Sequence, residues 1–193
     1  ISFCFYTNVC VLDQSLTVLT IEEFTNFAFL QSSLHDVWAR QYGTTQGGTA
    51  RYNPTDCFEN FPFPQNLTKE TEEELEKIGE EYHEFRRQLM LDLQLGLTKT
   101  YNLFHNLECS SEDTANAKDI REFKQTNLQI PIEEAIQRIE ELRALHKQMD
   151  EAVLKAYGWI DINLAHNFYE VDYLPENDRV RYTISPEARK EIL

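Results

Sequence analysis

The clearest structural signal in this chain of 193 residues is residues 131–159, PIEEAIQRIEELRALHKQMDEAVLKAYGW. Side chains suited to a buried face recur there every three or four positions, which is the spacing of one face of an α-helix. They are Ala135, Ile139, Leu142, His146, Met149 and Val153. Pro131 fits the first helical turn, where its missing N–H would have no partner, and Gly158 fits the end. The pattern predicts one long helix.

A second helical pattern precedes it and runs from Thr68 to Gly96. Its apolar residues recur at intervals that alternate between three and four positions, which suits contact with a partner helix. The seam consists of Leu75, Ile78, Tyr82, Phe85 and Leu89. Residues 70–92 contain nine acidic side chains and residues 133–151 contain six, which we assign to solvated outer faces. We expect the two helices to pair as an antiparallel hairpin.

Short β-prone runs occur near both ends of the chain. Residues 2–6, 9–12 and 16–20 predict strands in the N-terminal part, and residues 181–184 predict one in the tail. Ser185 before a proline indicates the cap of a short final helix.

The segment after the first strands predicts a helix followed by a loop. Thr20 and Glu23 have capping-box spacing, and apolar residues recur at helical intervals from there to Tyr42. Gly43 is expected to end this helix. Residues 44–50 (TTQGGTA) predict a flexible loop.

Three prolines dominate residues 51–64 and favour an extended or irregular segment over a helix. Aromatic residues recur along it and suggest rings that pack onto a core. They are Tyr52, Phe58, Phe61 and Phe63.

These patterns together predict an α+β fold. A small N-terminal unit of strands and a helix is followed by a mainly helical part with the long antiparallel hairpin. We place the boundary between two domains, 1–66 and 67–193, at the change from proline-rich to helical sequence.

Composition restricts the class of protein. No apolar run approaches the roughly 18 residues that a membrane span needs, and the four cysteines have no metal-site spacing. We therefore expect a cytoplasmic protein with reduced cysteines. The net charge of −15 opposes simple nucleic-acid binding. Residues 40–51, however, contain no acid, and Lys99 is the only residue charged at neutral pH in residues 94–107.

Several strings of this chain resemble one known family. In order they are residues 27–40 (FAFLQSSLHDVWAR), 51–58 (RYNPTDCF), 61–64 (FPFP), 96–102 (GLTKTYN), 145–159 (LHKQMDEAVLKAYGW) and 181–187 (RYTISPE). They resemble the target-recognition and C-terminal region of bacterial class I DNA adenine-N6 methyltransferases, including those fused with a nuclease in type II restriction-modification enzymes. The resemblance extends from about residue 20 to the end of the chain.

The resemblance implies a role in DNA recognition. The parent enzyme would use S-adenosylmethionine to methylate an adenine flipped out of the duplex, and this segment would position double-stranded DNA for an upstream catalytic domain of the same polypeptide. The sequence begins without a methionine, which agrees with a piece of a longer polypeptide.

Residue types suited to phosphate or base contacts occur in the two acid-poor windows. The first set is Arg40, Gln46, Arg51, Asn53 and Thr55, and the second is Lys99, Thr100, Tyr101 and Asn102. The alternative, to which we give equal weight, is that both segments are buried structural motifs that connect the strand unit to the helices.

No catalytic, cofactor or metal residue is predicted within this segment. Residues 53–56 (NPTD) lack the aromatic residue that stacks the flipped base in the Asn/Asp-Pro-Pro-Tyr/Phe motif. No glycine-rich loop links a strand to a helix, so S-adenosylmethionine is expected only in the parent chain. Glu122 and Lys124 match half of a metal-nuclease motif without a second carboxylate on a strand.

A different class of function is also compatible with the sequence. The acidic helical hairpin would then dock on a partner or on other domains of the parent chain, as a non-catalytic interaction or scaffold module that does not touch DNA.

Overall fold

The computed structural model describes residues 1–6, 16–46 and 49–193. The architecture is α+β and mostly helical, as predicted. The longer helices are α1 (Phe24–Gln31), α2 (Ser33–Tyr42), α3 (Lys69–Leu93), α4 (Leu97–Phe104), α7 (Ile132–Ala156) and α8 (Pro186–Ile192), and the short ones are α5 (Thr114–Ala117) and α6 (Arg121–Lys124). The strands are β1 (Thr44–Gln46), β2 (Thr49–Arg51), β3 (Asn167–Glu170) and β4 (Val180–Thr183).

The chain forms two compact units that differ from the predicted segments 1–66 and 67–193. Unit 1 comprises Ile1–Glu80, Met149–Ile162 and Arg189–Leu193. Unit 2 comprises Glu81–Gln148 and Asn163–Ala188. The long helices contribute residues to both units, so a single cut along the sequence does not separate them.

The two long helices are antiparallel, as the seams predicted. In unit 1, Glu74 near the start of α3 forms an ion pair with Lys155 at the end of α7. In unit 2, Asp92 at the end of α3 forms an ion pair with Arg138 near the start of α7. All six predicted seam residues of α7 are buried. On α3, four of the five are buried and Phe85 is half-buried.

Local signals account for the ends of α7. The Pro131 carbonyl accepts a bond from Ala135 N–H in the first turn. At the other end, Gly158 has a φ of 73°, and Trp159 N–H bonds to the Leu154 carbonyl. This is the glycine-terminated C-cap that sequence reasoning expects. Helix α3 ends earlier than predicted, at Leu93, and Gly96 caps the start of α4 instead.

The N-terminal strand prediction is wrong where the structure describes it. Residues 2–6 and 16–20 form no strand, and residues 9–12 lie outside the described part. In residues 2–6, the Phe3 N–H donates to the Gln31 side chain at 2.9 Å, and the Phe5 ring lies 4.7 Å from that of Phe24. Ring packing and a side-chain acceptor thus replace strand pairing for this segment.

The predicted helix over residues 20–42 begins later and is broken. Its first helical residue is Phe24, and the predicted cap Thr20 lies outside α1. At Ser32 the backbone becomes extended, and the Ser32 hydroxyl accepts the His35 N–H to cap α2. The Ser33 N–H donates to the buried carboxylate of Asp150 at 2.7 Å. These bonds satisfy N–H groups that a new helix start leaves open.

Residues 44–64 also differ from the prediction. The expected flexible loop contains an antiparallel ribbon, in which β1 pairs with β2 from Thr44↔Arg51 to Gln46↔Thr49. Thr55–Glu59 then forms a π-helical turn rather than extended chain. Pro54 precedes that turn in helical geometry, where a proline costs no backbone hydrogen bond. The prolines exclude a helix interior but permit a helix start.

The tail of the chain follows the prediction. Strand β3 pairs antiparallel with β4, and Ser185 Oγ accepts the Ala188 N–H as the cap of α8.

Candidate nucleic-acid interface

The first candidate surface is the β1–β2 ribbon of unit 1 and the segment that follows it. Helix α2 ends at Gly43, whose N–H bonds to the Ala39 carbonyl at 2.9 Å. A Cβ at Gly43 would lie 2.3 Å from that carbonyl oxygen and 3.1 Å from the Cys57 sulfur. Only glycine allows this close approach, so the base of the ribbon is held between α2 and the π-helical turn.

The predicted contact residues of this surface differ in exposure. Arg40 is half-buried, and its Nε donates to Asp36 at 2.6 Å. Asn53 Nδ2 donates to Asp56 at 2.7 Å, whereas Arg51 and Thr55 are exposed. Gln46 lies in β1 opposite Thr49. Arg51 and Thr55 are therefore the members of this set that are most accessible to a ligand.

A layer of rings supports the segment after the ribbon. The fully buried His35 shares a 3.0 Å hydrogen bond through Nε2 with Tyr52 OH. The ring of Phe61 packs edge-on against that of His35 at 4.5 Å. Burial lowers the pKa of His35 to about 4, and burial also raises the pKa of Tyr52. Because both groups are neutral near pH 7, this layer is a rigid apolar support.

Burial and charge also act on Asp36, next to this layer. Burial opposes ionisation, but the ammonium of Ile1 and the guanidinium of Arg40 hold the pKa of the Asp36 carboxyl well below its usual range. Arg40 is thereby committed to an internal ion pair.

The second candidate surface is α4 of unit 2. Lys99 and Asn102 are exposed, and Asn102 Nδ2 donates to Glu122 at 3.0 Å. Thr100 is fully buried, and its hydroxyl bonds to the Gly96 carbonyl. Tyr101 is half-buried, and its OH lies 2.8 Å from Tyr82 OH. In this conformation Thr100 cannot reach a ligand, which corrects its inclusion among the predicted contact residues.

The nine predicted residues divide between the units. Arg40, Gln46, Arg51, Asn53 and Thr55 belong to unit 1, and Lys99, Thr100, Tyr101 and Asn102 belong to unit 2. Each set is therefore a surface of its own unit.

Sequence reasoning missed the residue that holds α4 in place. Arg143 on α7 is 6% exposed. It donates to the carbonyls of Leu103, Phe104, Asn106 and Cys109 at 2.8–3.1 Å. The last carbonyls of a helix lack internal partners, and a cation at that end is favourable. The signal available in the sequence was that Arg143 directly follows Leu142, a predicted seam residue.

The two segments that partly match catalytic motifs form contacts within the protein. Asn53 and Asp56 of the NPTD segment bond to each other. Glu122 accepts from Asn102, and Lys124 forms an ion pair with Asp119 at 2.7 Å. Within the described residues, no group of three or more His, Cys, Asp or Glu side chains is arranged to hold a metal ion.

The long helices of the described part are too polar to cross a membrane. In comparisons with known proteins, no family model, no curated protein and no solved structure matches the chain.

Proposed function

We propose that this chain is the DNA target-recognition part of a site-specific DNA adenine-N6 methyltransferase, of the kind fused with a nuclease in restriction-modification enzymes. It positions double-stranded DNA, and an upstream domain of the same polypeptide binds S-adenosylmethionine and methylates the flipped adenine. The proposal rests on the resemblance of the sequence strings and on the form of the acid-free segment.

One observation carries the proposal. One acid-free segment predicted to contact DNA, residues 40–51, contains a two-stranded antiparallel ribbon. The major groove of B-DNA is wide enough to admit such a ribbon. The residues of the ribbon are threonine, glutamine, alanine and arginine, and amides, hydroxyls and guanidinium groups are the side chains that hydrogen-bond base edges and phosphates.

The roles within this surface follow from side-chain chemistry and exposure. Arg51 is exposed at the end of β2 and is suited to a phosphate or to a guanine edge. Gln46 and Thr55 are suited to base edges, whereas Asn53 is already bonded to Asp56 and positions the turn. Arg40 is already bonded to Asp36 on the same helix, α2.

The negative charge of the chain predicts how binding depends on salt. The net charge is −15, and exposed glutamates line the first half of α3. Phosphates are repelled by that face, so binding by the chain alone is expected to be weak. The attraction between phosphates and basic side chains such as Arg51 falls as salt rises, so binding is best measured at low ionic strength.

The test is a selection of binding sites. The 193-residue chain is incubated at low salt with a pool of randomised duplexes, and the bound DNA is sequenced. We expect enrichment of a short word that contains adenine. Gln46→Ala is expected to change the word at one position, whereas Arg51→Glu is expected to abolish binding.

Lys77→Glu is the matched control, because Lys77 is exposed on α3 of the same unit and the charge change is equal. It should leave both the affinity and the word unchanged. Absence of any enriched word, or equal losses in Arg51→Glu and Lys77→Glu, would refute DNA recognition by the ribbon.

An interaction or scaffold module is the second candidate function. It is favoured by the exposed acidic side chains on the first half of α3, which are Glu70, Glu72, Glu73, Glu74 and Glu80. This face suits a basic protein surface. A folded chain that selects no DNA in the experiment above would support this candidate.

A further inference from the structure

We propose that Arg121, together with Lys99, forms a second DNA contact that binds the phosphate backbone and reads no sequence. This inference rests on the proposed function and deepens it. It adds to the predicted surface a residue that is remote from α4 in the sequence.

The fold of unit 2 brings together the two helices that carry these cations. Helices α4 and α6 pack against each other, and Asn102 Nδ2 on α4 donates to Glu122 Oε1 on α6 at 3.0 Å. Lys99 lies one helical turn before Asn102, on the same face of α4. Arg121 is the residue before Glu122. The hydrogen bond thus places the segments that carry Lys99 and Arg121 side by side.

Two neighbouring lysines are already neutralised within the unit, whereas Glu122 has a neutral hydrogen-bond partner and keeps its negative charge. Lys118 forms an ion pair with Glu133 at 2.7 Å, and Lys124 forms one with Asp119 at 2.7 Å. Glu122 accepts the Asn102 amide. Among the residues that the structure describes, Lys99 and Arg121 are exposed and have no ion-pair partner. They are the cations of this surface that remain available to an outside anion.

Other cations of unit 2 are committed to the fold. Arg86 is buried and donates to Tyr101 OH. Arg138 pairs with Asp92, and Arg143 bonds four main-chain carbonyls. Unlike these three arginines, Lys99 and Arg121 on α4 and α6 are available to bind an outside anion.

The chemistry of the pair fits phosphate better than a base edge. An ammonium is a compact point charge, and a guanidinium binds phosphate oxygens through two parallel N–H bonds. Helix α4 contains no acidic residue, so no carboxylate of α4 itself opposes an anion there. Contacts of this type fix the position of a protein on the duplex and carry no sequence information.

The experiment measures the salt dependence of binding. The variant Lys99→Gln/Arg121→Gln in the 193-residue chain removes two charges from exposed positions. The control is Arg87→Gln/Lys147→Gln, which removes two charges from exposed positions of the same unit on the long helices. Affinity for the selected duplex is measured by fluorescence anisotropy over a range of salt concentrations, after unfolding curves have shown equal stability.

We expect the slope of log K against log salt to decrease in magnitude by about 2 in the Lys99/Arg121 variant, because each phosphate contact contributes about 0.9. The enriched word should stay the same, and the control should keep the wild-type slope. Neutral substitutions at exposed positions are chosen so that the fold is retained.

Two results would overturn the inference while leaving the proposed function in place. One is an unchanged slope and affinity in the Lys99/Arg121 variant when Arg51→Glu still abolishes binding. The other is a changed word, which would assign base reading to this pair. Failure of the wild-type chain to select any duplex would instead refute the proposed function itself.

Discussion

Replacing Arg143 by methionine tests whether this side chain holds α4, the helix that carries Lys99 and Asn102. Methionine retains a long apolar side chain but has no donor. The carbonyls of Leu103, Phe104, Asn106 and Cys109 would lose their bonds to the guanidinium. Since Arg143 is 6% exposed, water cannot replace these bonds without opening the site.

The magnitude follows from the number of acceptors left unsatisfied. The carbonyls of Leu103 and Asn106 still accept main-chain N–H groups, whereas those of Phe104 and Cys109 lose the guanidinium. An unsatisfied buried acceptor costs about 1–3 kcal/mol, so with some return from no longer burying a charge we expect the free energy of unfolding to fall by about 2–4 kcal/mol. That is a large part of the roughly 5–15 kcal/mol by which a typical domain is stable.

Urea unfolding followed by circular dichroism gives the free energy, and hydrogen exchange gives the location. Amides of residues 100–109 should lose protection before those of α7. The control is Arg87→Met, because Arg87 is exposed and pairs with the exposed Glu84, so the loss should stay below about 1 kcal/mol. A loss below about 1 kcal/mol for Arg143→Met would refute the reasoning.

Two further predictions concern the ribbon and its support. Burial lowers the pKa of His35 to about 4 in the folded chain, against about 6.5 in an unfolded chain. The contribution of neutral His35 to the free energy of unfolding is therefore complete above about pH 6.5 and is lost as the pH falls towards 4. The free energy of unfolding should fall by up to about 3 kcal/mol over this range. Urea unfolding at a series of pH values should show a smaller fall for His35→Gln than for the wild type; an equal dependence on pH in both would contradict the prediction. Gly43→Ala is expected to lower stability by about 1–3 kcal/mol, because its Cβ would meet the Ala39 carbonyl oxygen at 2.3 Å. Gly96→Ala is its control, with nothing within 4 Å of the added Cβ, and equal thermal stability of the two variants would disprove the close contact.

The proposed contact residues were chosen from the sequence by residue type, which does not show whether a side chain is accessible. Lys99 and Arg51 were found because they are basic residues in acid-poor windows, and both are exposed. Thr100 has the same local signal, yet its side chain faces the interior. Arg121 had no such signal, because acidic residues lie close to it in the sequence, and only the tertiary structure shows that its helix α6 packs against α4.

The sequence alone determined the long helices, their antiparallel pairing and several helix ends. Periodicity, a proline at a helix start and a glycine after a helix end act within a few residues, so they can be read locally. This is why the six seam residues of α7 and the cap at Gly158 agree with the structure.

Only the tertiary structure decided the break between α1 and α2 and the bonds by which Arg143 holds the end of α4. The break depends on Asp150, which bonds to Ser33 from 117 residues away, and the bonds at the end of α4 come from Arg143, which reaches carbonyls 34–40 residues away. A hydrogen bond between distant segments forms only when the chain has brought them together, so no local pattern of residue types announces it.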